Sequence, residues 1–321
     1  MKKLWLFLIM TLPIWLFACS EEEEASTDTE RSVTIEDGLG EQTINGTPEK
    51  VVVLEWSYVE HLLPLGIEPA GVADVEGYNR WVNVGDPLAE STEDVGTRSE
   101  PSFEAIASME PDLIIGAKYR HEEIIDELEK IAPTVIFSPY SEEAADDQYQ
   151  HLLDEFDTMA AIFNKQEVAG DTIKQLNETY KEQVSRLEEE EIHNVEAVVT
   201  QAFTAQNTPT MRHFTTNSVV AGVLQEIGIR NLVHTDEPEI YGFIETTVET
   251  LQNYQKAHFF YIVQEDDNVF EQLADNPGWT NLNFVENNRT YKLPGDMGTF
   301  AGPLSAERLA VEVTDALLEN N

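Results

Sequence analysis

Short apolar runs alternate with helical segments in two parts of this chain, and a long stretch without strand signal separates them. No other feature constrains the fold as much. In the first part Val51–Leu54, Ala70–Ala73, Leu113–Gly116 and Thr134–Phe137 read as strands buried on both faces. Between them, Ser57 to Glu60 forms an S-x-x-E capping signal for a helix that stops at Gly66. Pro101–Met109 gives a short helix, and His121–Ile131 is amphipathic until Pro133. In the second part Val195–Thr200, Ala257–Val263 and Arg289–Leu293 read as strands, with helices over Asn217–Gly228 and Leu304–Leu318. This spacing implies βα units on mostly parallel sheets. From Glu167 to Glu191, Ile173, Leu176, Tyr180, Val184 and Leu187 line one face of a single polar helix, which reads as a connector. The expected organisation is an α/β protein of two lobes, residues 45–163 and 192–321, joined by a helix over residues 164–191.

The chain starts with Lys2 and Lys3, continues apolar from Leu4 to Phe17, and places its only cysteine at the end of that run. This is the layout of a secretion signal. Leu16-Phe17-Ala18-Cys19 resembles a bacterial lipobox, with Phe17 where a small residue is usual. Residues 1–18 are therefore expected to be a signal peptide and Cys19 the lipidation site. Residues 19–44, which open with Glu21–Glu24, read as a lipid-anchored acidic tether. No second apolar run approaches the ~20 residues of a membrane span. The protein is expected outside the cell membrane, on its outer face, held by the lipid alone. With Cys19 lipidated, the folded part has no disulfide to form.

Sixty-one acidic residues against 19 basic ones give a net charge of −42. That balance excludes nucleic acid as a partner, since phosphate contacts need a basic face. It fits an exported monomer kept soluble by its surface. The sequence has no G-x-S-x-G elbow, no H-E-x-x-H pair, no glycine-rich phosphate loop and only scattered histidines. It reads as neither an enzyme nor a protein with a metal or cofactor of its own.

In so acidic a chain, an arginine outside a charged helix is a candidate for holding an anionic ligand. Arg98 lies in a turn between a strand and a helix. Tyr119 and Arg120 leave the strand Leu113–Gly116 at its carboxyl edge, where ligands of open α/β sheets collect. Arg212 is expected between a strand and a helix of the second part. Three guanidinium forks facing one cleft would suit planar oxyanions. The competing reading pairs Arg98 and Arg120 with Glu100 and Glu122 on the surface. Tyr78 and Trp81 in one loop, Tyr241-Gly242-Phe243 in another, and Phe300 after a glycine-rich stretch are aromatics that no helix or strand periodicity explains. A share of them should line a pocket.

These residues match a family. VVVLEW at 51–56, LLPLGIEPAGVAD at 62–74, VGTRSEPSFEAI at 95–106 and PDLII at 111–115 are similar to the ferric-siderophore-binding lipoproteins of bacterial ABC importers, from about Val51 to Leu318. The resemblance implies a helical-backbone periplasmic-binding-protein fold: two lobes joined by one long rigid helix. It implies a ferric siderophore as ligand and an ABC permease as partner. Two branches compete. Glu55-Trp56, GYNRWV at 77–82 and Tyr119 look like the hydroxamate binders. That implies Arg98 and Tyr119 as the polar pair, Trp56 and Trp81 beside them, and Tyr241 where that branch has a tryptophan. PSFEAIA at 101–107 and Arg120-His121 before IAPT look like the citrate binders, whose extra positive charge Arg98, Arg120 and Arg212 would supply. By position, Glu104 and Glu249 correspond to the acidic residues that dock on the permease. The alternatives within the fold are haem or cobalamin, with His121 or Tyr119 as axial ligand. An anchored enzyme is the alternative outside it.

Overall fold

The computed structural model describes residues 31–85, 87–206, 208–300 and 302–320. The expected signal peptide, Cys19 and the start of the tether lie outside the described residues. The rest of the expected tether is folded. Ser32–Asp37 (β1) and Gly40–Asn45 (β2) pair as an antiparallel hairpin. Ile35 and Ile44 enter the first-lobe core. The Gly38 amide donates to the Ile136 carbonyl at 2.5 Å, tying the hairpin tip to the lobe. Asp37-Gly38 is a hairpin-turn signal, which a reading based on acidic composition passes over.

The first lobe is built on Val51–Val53 (β3), Gly71–Val72 (β4), Glu93–Asp94 (β5), Leu113–Ala117 (β6) and Thr134–Phe137 (β7). Their order is β5-β4-β3-β6-β7, parallel throughout. All three residues of β3 are fully buried, as an unalternating apolar run between two helical layers requires. The helix Trp56–Leu62 starts one residue before Ser57, and its cap is Glu55, whose carboxylate accepts the Trp56 amide at 3.2 Å. Glu60 closes no capping box. Its buried carboxyl group reaches the other lobe, where Oε2 accepts the amides of Gly302 (3.1 Å) and Ser305 (3.0 Å) and Oε1 is hydrogen-bonded to the Ser305 hydroxyl (2.7 Å). It satisfies the open first turn of the closing helix Pro303–Glu319. The amphipathic stretch 121–131 is not one helix. Lys118–His121, a 3-10 turn Glu122–Ile124 and Ile125–Leu128 follow one another.

The second lobe contains Glu196–Ala205 (β8), Thr208–Phe214 (β9), Arg230–Asn231 (β10), Phe243–Thr246 (β11), His258–Ile262 (β12) and Thr290–Leu293 (β13). The order is β11-β9-β8-β12-β13, with β10 also on β8. β10, β8, β12 and β13 run parallel, but β9 and β11 add an antiparallel edge that the spacing does not reveal. Arg212 therefore sits within a strand, not in a connection.

The helix Gln166–Glu189 is continuous. Near its start Ala169 packs in the first-lobe core, while Leu176, Tyr180 and Leu187 pack in the second. It is not the only helix that does so. Gln148–Ile162, expected to belong to the first lobe alone, places Phe156, Met159 and Ile162 in the first core and Tyr149 in the second. The Tyr149 and Tyr180 hydroxyls meet at 2.8 Å. Among the described residues no helix is long and apolar enough to cross a membrane.

Candidate ligand-binding cleft

Parallel strands place their carboxyl ends on one edge of the first sheet, and that edge opens on a cleft of about 750 Å³ between the lobes. Trp56 follows β3, Arg98 follows β5, Tyr119 and Arg120 follow β6, and Tyr140 follows β7; all line it. The second lobe contributes one face of its antiparallel edge. Gln201 and Phe203 on β8, Arg212 on β9, and Phe243 and Glu245 on β11 share that face because side chains alternate along a strand.

All eight residues expected to touch ligand, Trp56, Trp81, Arg98, Tyr119, Arg120, Arg212, Tyr241 and Phe300, line this one cleft. Tyr78 does not: it is buried in the first-lobe core, and both it and Trp81 belong to the helix Val75–Trp81, not to a loop. Phe243 opens β11. The surface pairing of Arg98 and Arg120 with Glu100 and Glu122 does not occur. Both arginines converge instead on Glu55.

Glu55 is the organising residue of the cleft floor and is only 5% exposed. Arg98 Nη1 donates to its Oε1 at 2.6 Å; Arg120 Nε and the Tyr119 hydroxyl donate to its Oε2 at 2.8 and 2.7 Å. Burial pushes the Glu55 carboxyl up, yet the Arg98 and Arg120 charges, with hydrogen bonds from Arg98 and Tyr119, outweigh this and hold it below the usual carboxylate value. Burial and then Glu55 push the Tyr119 hydroxyl up, so it remains a donor. The Arg98 guanidinium also stacks 3.4 Å from the centre of the Trp56 ring. Trp56 is itself fixed: its indole N–H is shared by the carbonyls of Ala73 and Asp74, both at 3.1 Å.

His121 holds the loop that carries Arg98. Its Nδ1 accepts the Ala117 amide at 2.9 Å, which leaves Nε2 to donate to the Arg98 carbonyl at 2.8 Å. Burial lowers its pKa, consistent with a neutral ring. With both nitrogens taken and the ring fully buried, His121 is not presented to the cleft as an axial ligand. Gly116 makes room for it, since a Cβ there would lie 2.8 Å from Nδ1.

An aromatic arc closes the cleft across the lobes. Tyr119 packs edge-on against Tyr140 (4.8 Å between centroids), Tyr140 against Tyr241 (5.1 Å), Tyr241 on Phe243 (6.1 Å) and Phe243 against Phe300 (5.8 Å). The Tyr241 loop is pinned by Gln148, whose amide donates to the Ile240 carbonyl at 2.9 Å. Gly242 takes a left-handed backbone there, φ 69°. Arg212 lies over Phe203 and Phe243 at 4.9 and 4.7 Å and donates to Glu245, its cross-strand neighbour, at 3.3 Å. At the opposite wall Val82 and Met297 form an antiparallel bridge, and the Gly298 amide donates to the Trp81 carbonyl at 3.1 Å, so Trp81 is anchored to the second lobe.

Glu55, Tyr140, Phe203 and Glu245 were not singled out by sequence. Glu55 directly follows a predicted strand, so the sheet-edge rule that flags Tyr119 would also have flagged it. Glu104 and Glu249 are exposed in the first turns of short helices, Phe103–Ser108 and Val248–Tyr254, one on each lobe.

Several known proteins share this architecture. The chain is 30% identical over 317 residues to the Fe(3+)-citrate-binding protein YfmC of Bacillus subtilis, covering 95% of this chain and 96% of that one. It is 28% identical over 248 residues to the iron(3+)-hydroxamate-binding protein FhuD of Escherichia coli, covering 77% and 80% of the two. The solved structure of siderophore-binding FhuD from Vibrio cholerae, with Fe3+-Desferal bound, superposes with a TM-score of 0.75 at 26% identity, over 85% of this chain and 98% of that one. The periplasmic binding protein model matches residues 51–297, and the chain belongs to that family.

Proposed function

We propose that this chain is an extracytoplasmic, lipid-anchored binding protein that captures a ferric siderophore and delivers it to an ABC permease. The observation that carries the reading is the composition of the cleft: arginine and tyrosine donors at its floor, between walls of indole, phenol and phenyl rings. Ferric iron whose coordination is filled by a siderophore needs no ligand from the protein. Recognition then falls on the chelate's oxygens, which accept hydrogen bonds from Arg98 and Arg120, and on its organic shell, which packs against Trp56, Trp81, Tyr119, Tyr241 and Phe300. Relatives named for ferric citrate and ferric hydroxamate binding support this ligand class. Cys19 would carry the anchor, and Glu104 and Glu249 would meet the permease with one carboxylate from each lobe.

The test is intrinsic tryptophan fluorescence of the lipid-free domain, titrated with ferric citrate, a ferric trihydroxamate, a ferric catecholate, haemin and cobalamin. Saturable quenching by one of the ferric siderophores is expected, because Trp56 and Trp81 wall the cleft. A response confined to haemin or cobalamin would overturn the ligand while leaving the fold.

A further inference from the structure

We propose that Glu55 and Glu245 are built-in counter-anions that select for ferric chelates of low net charge, trihydroxamates above polyanionic citrate complexes. This rests on the siderophore reading and deepens it. Three arginines line the cleft, and their charge would suit a polyanion, but none of them is uncompensated. Arg98 and Arg120 share Glu55 at 2.6 and 2.8 Å, and Arg212 is paired with Glu245 at 3.3 Å. Asp74 adds a carboxylate oxygen 4.0 Å from Arg98 Nε. The three guanidinium charges therefore face two carboxylates inside the cleft, with a third beside Arg98.

Glu55 is not a counter-ion that an incoming ligand displaces easily. It accepts from Trp56, Arg98, Tyr119 and Arg120, and expelling it would strip four donors of their acceptor at once. What remains available is hydrogen-bonding capacity without much charge. Arg98 Nη2 has no partner among the described residues, and each terminal nitrogen of Arg120 uses only one of its two hydrogens, toward Ser99 and toward Tyr119. Those donors suit the hydroxamate oxygens of a neutral complex. A citrate complex would bring several carboxylates out of water into an aromatic-walled cleft whose positive charge is already cancelled, and desolvation would go unrepaid. The chain's net charge of −42 works in the same direction.

The experiment compares wild type with Glu55→Gln and Glu245→Gln by equilibrium titration, using a neutral ferric trihydroxamate and ferric dicitrate as probes. Wild type is expected to bind the trihydroxamate at least tenfold more tightly than the citrate complex. Glu55→Gln should move that ratio toward citrate by tenfold or more, about 1.4 kcal/mol. Equal or tighter binding of citrate by wild type, or an unchanged ratio in Glu55→Gln, overturns the proposal. If Glu55→Gln fails to fold, Glu245→Gln decides, since it changes only an exposed partner of Arg212. A shift toward citrate supports the proposal and an unmoved ratio overturns it. Wild type that binds neither chelate overturns the proposal, and if it also fails to bind the ferric catecholate it refutes the siderophore reading itself, a result distinct from binding both without charge preference.

Discussion

Replacing Glu60 by glutamine should flatten the dependence of stability on pH between about 4.5 and about 8. Glu60 is fully buried between the lobes, and burial pushes its carboxyl from 4.5 up to about 8 despite hydrogen bonds from Ser305 and Gly302. In that window the folded chain keeps a proton that the unfolded chain has released. The unfolded state binds fewer protons there, so stability falls as pH rises. The contribution is complete below the unfolded value and gone once pH has passed the folded one. At 1.36 kcal/mol per unit the full span is worth roughly 3–5 kcal/mol. For a chain of this size that corresponds to a differential change in Tm on the order of 10 °C. Glutamine imitates the protonated acid: its carbonyl can take the two amides that Glu60 Oε2 accepts, and its NH₂ can face the Ser305 hydroxyl. The assay is thermal unfolding of the lipid-free domain, followed by circular dichroism at pH 5 and pH 8, for wild type and Glu60→Gln. Wild type should lose more Tm than the variant over that interval. Identical losses would refute the argument that Glu60 folds as the neutral acid.

Arg98→Ala should weaken binding of the ferric chelate tenfold or more, about 1.4 kcal/mol or above for a charge-assisted bond; unchanged affinity in a fluorescence titration would remove Arg98 from the site. Gly116→Ala should force His121 off the Ala117 amide and the Arg98 carbonyl, costing roughly 1–3 kcal/mol in urea unfolding, and should weaken ligand binding although the residue touches no ligand. A fully stable, fully binding Gly116→Ala would contradict the positioning role of His121. Glu104→Ala combined with Glu249→Ala should leave ligand affinity intact and abolish iron uptake by cells; undiminished uptake would contradict their assignment to the permease surface.

Four of the five strands in the first-lobe sheet were legible because a parallel strand covered on both faces reads as an uninterrupted apolar run, as Val51–Val53 does; the exposed edge strand Glu93–Asp94 carries no such run. The connector Gln166–Glu189 was legible because its buried face recurs at helical spacing. The antiparallel edge β9–β11 was not, because its strands carry cleft residues on one face. Thr208, Thr210 and Arg212 on β9 and Glu245 on β11 break the apolar run that marks a core strand. The cleft residues were found through loop placement and charge scarcity, which identified the arginines and most of the aromatics. Those signals did not find their partner Glu55, one carboxylate among 61 acidic residues. The convergence of β3, β5 and β6 shows it as the shared partner of Arg98, Tyr119 and Arg120. The same convergence changes the chemistry, since an arginine cluster that reads as strongly cationic in sequence is nearly neutralised in the fold.

The most direct test of the whole account is the position of iron in a crystal of the lipid-free domain grown with a ferric trihydroxamate, located by anomalous scattering. The account predicts one iron site in the inter-lobe cleft, with chelate oxygens within hydrogen-bonding distance of Arg98 or Arg120 and its organic shell against Trp56, Trp81 or Tyr241. Iron bound outside the cleft, or held there directly by protein side chains with the chelator lost, would contradict it.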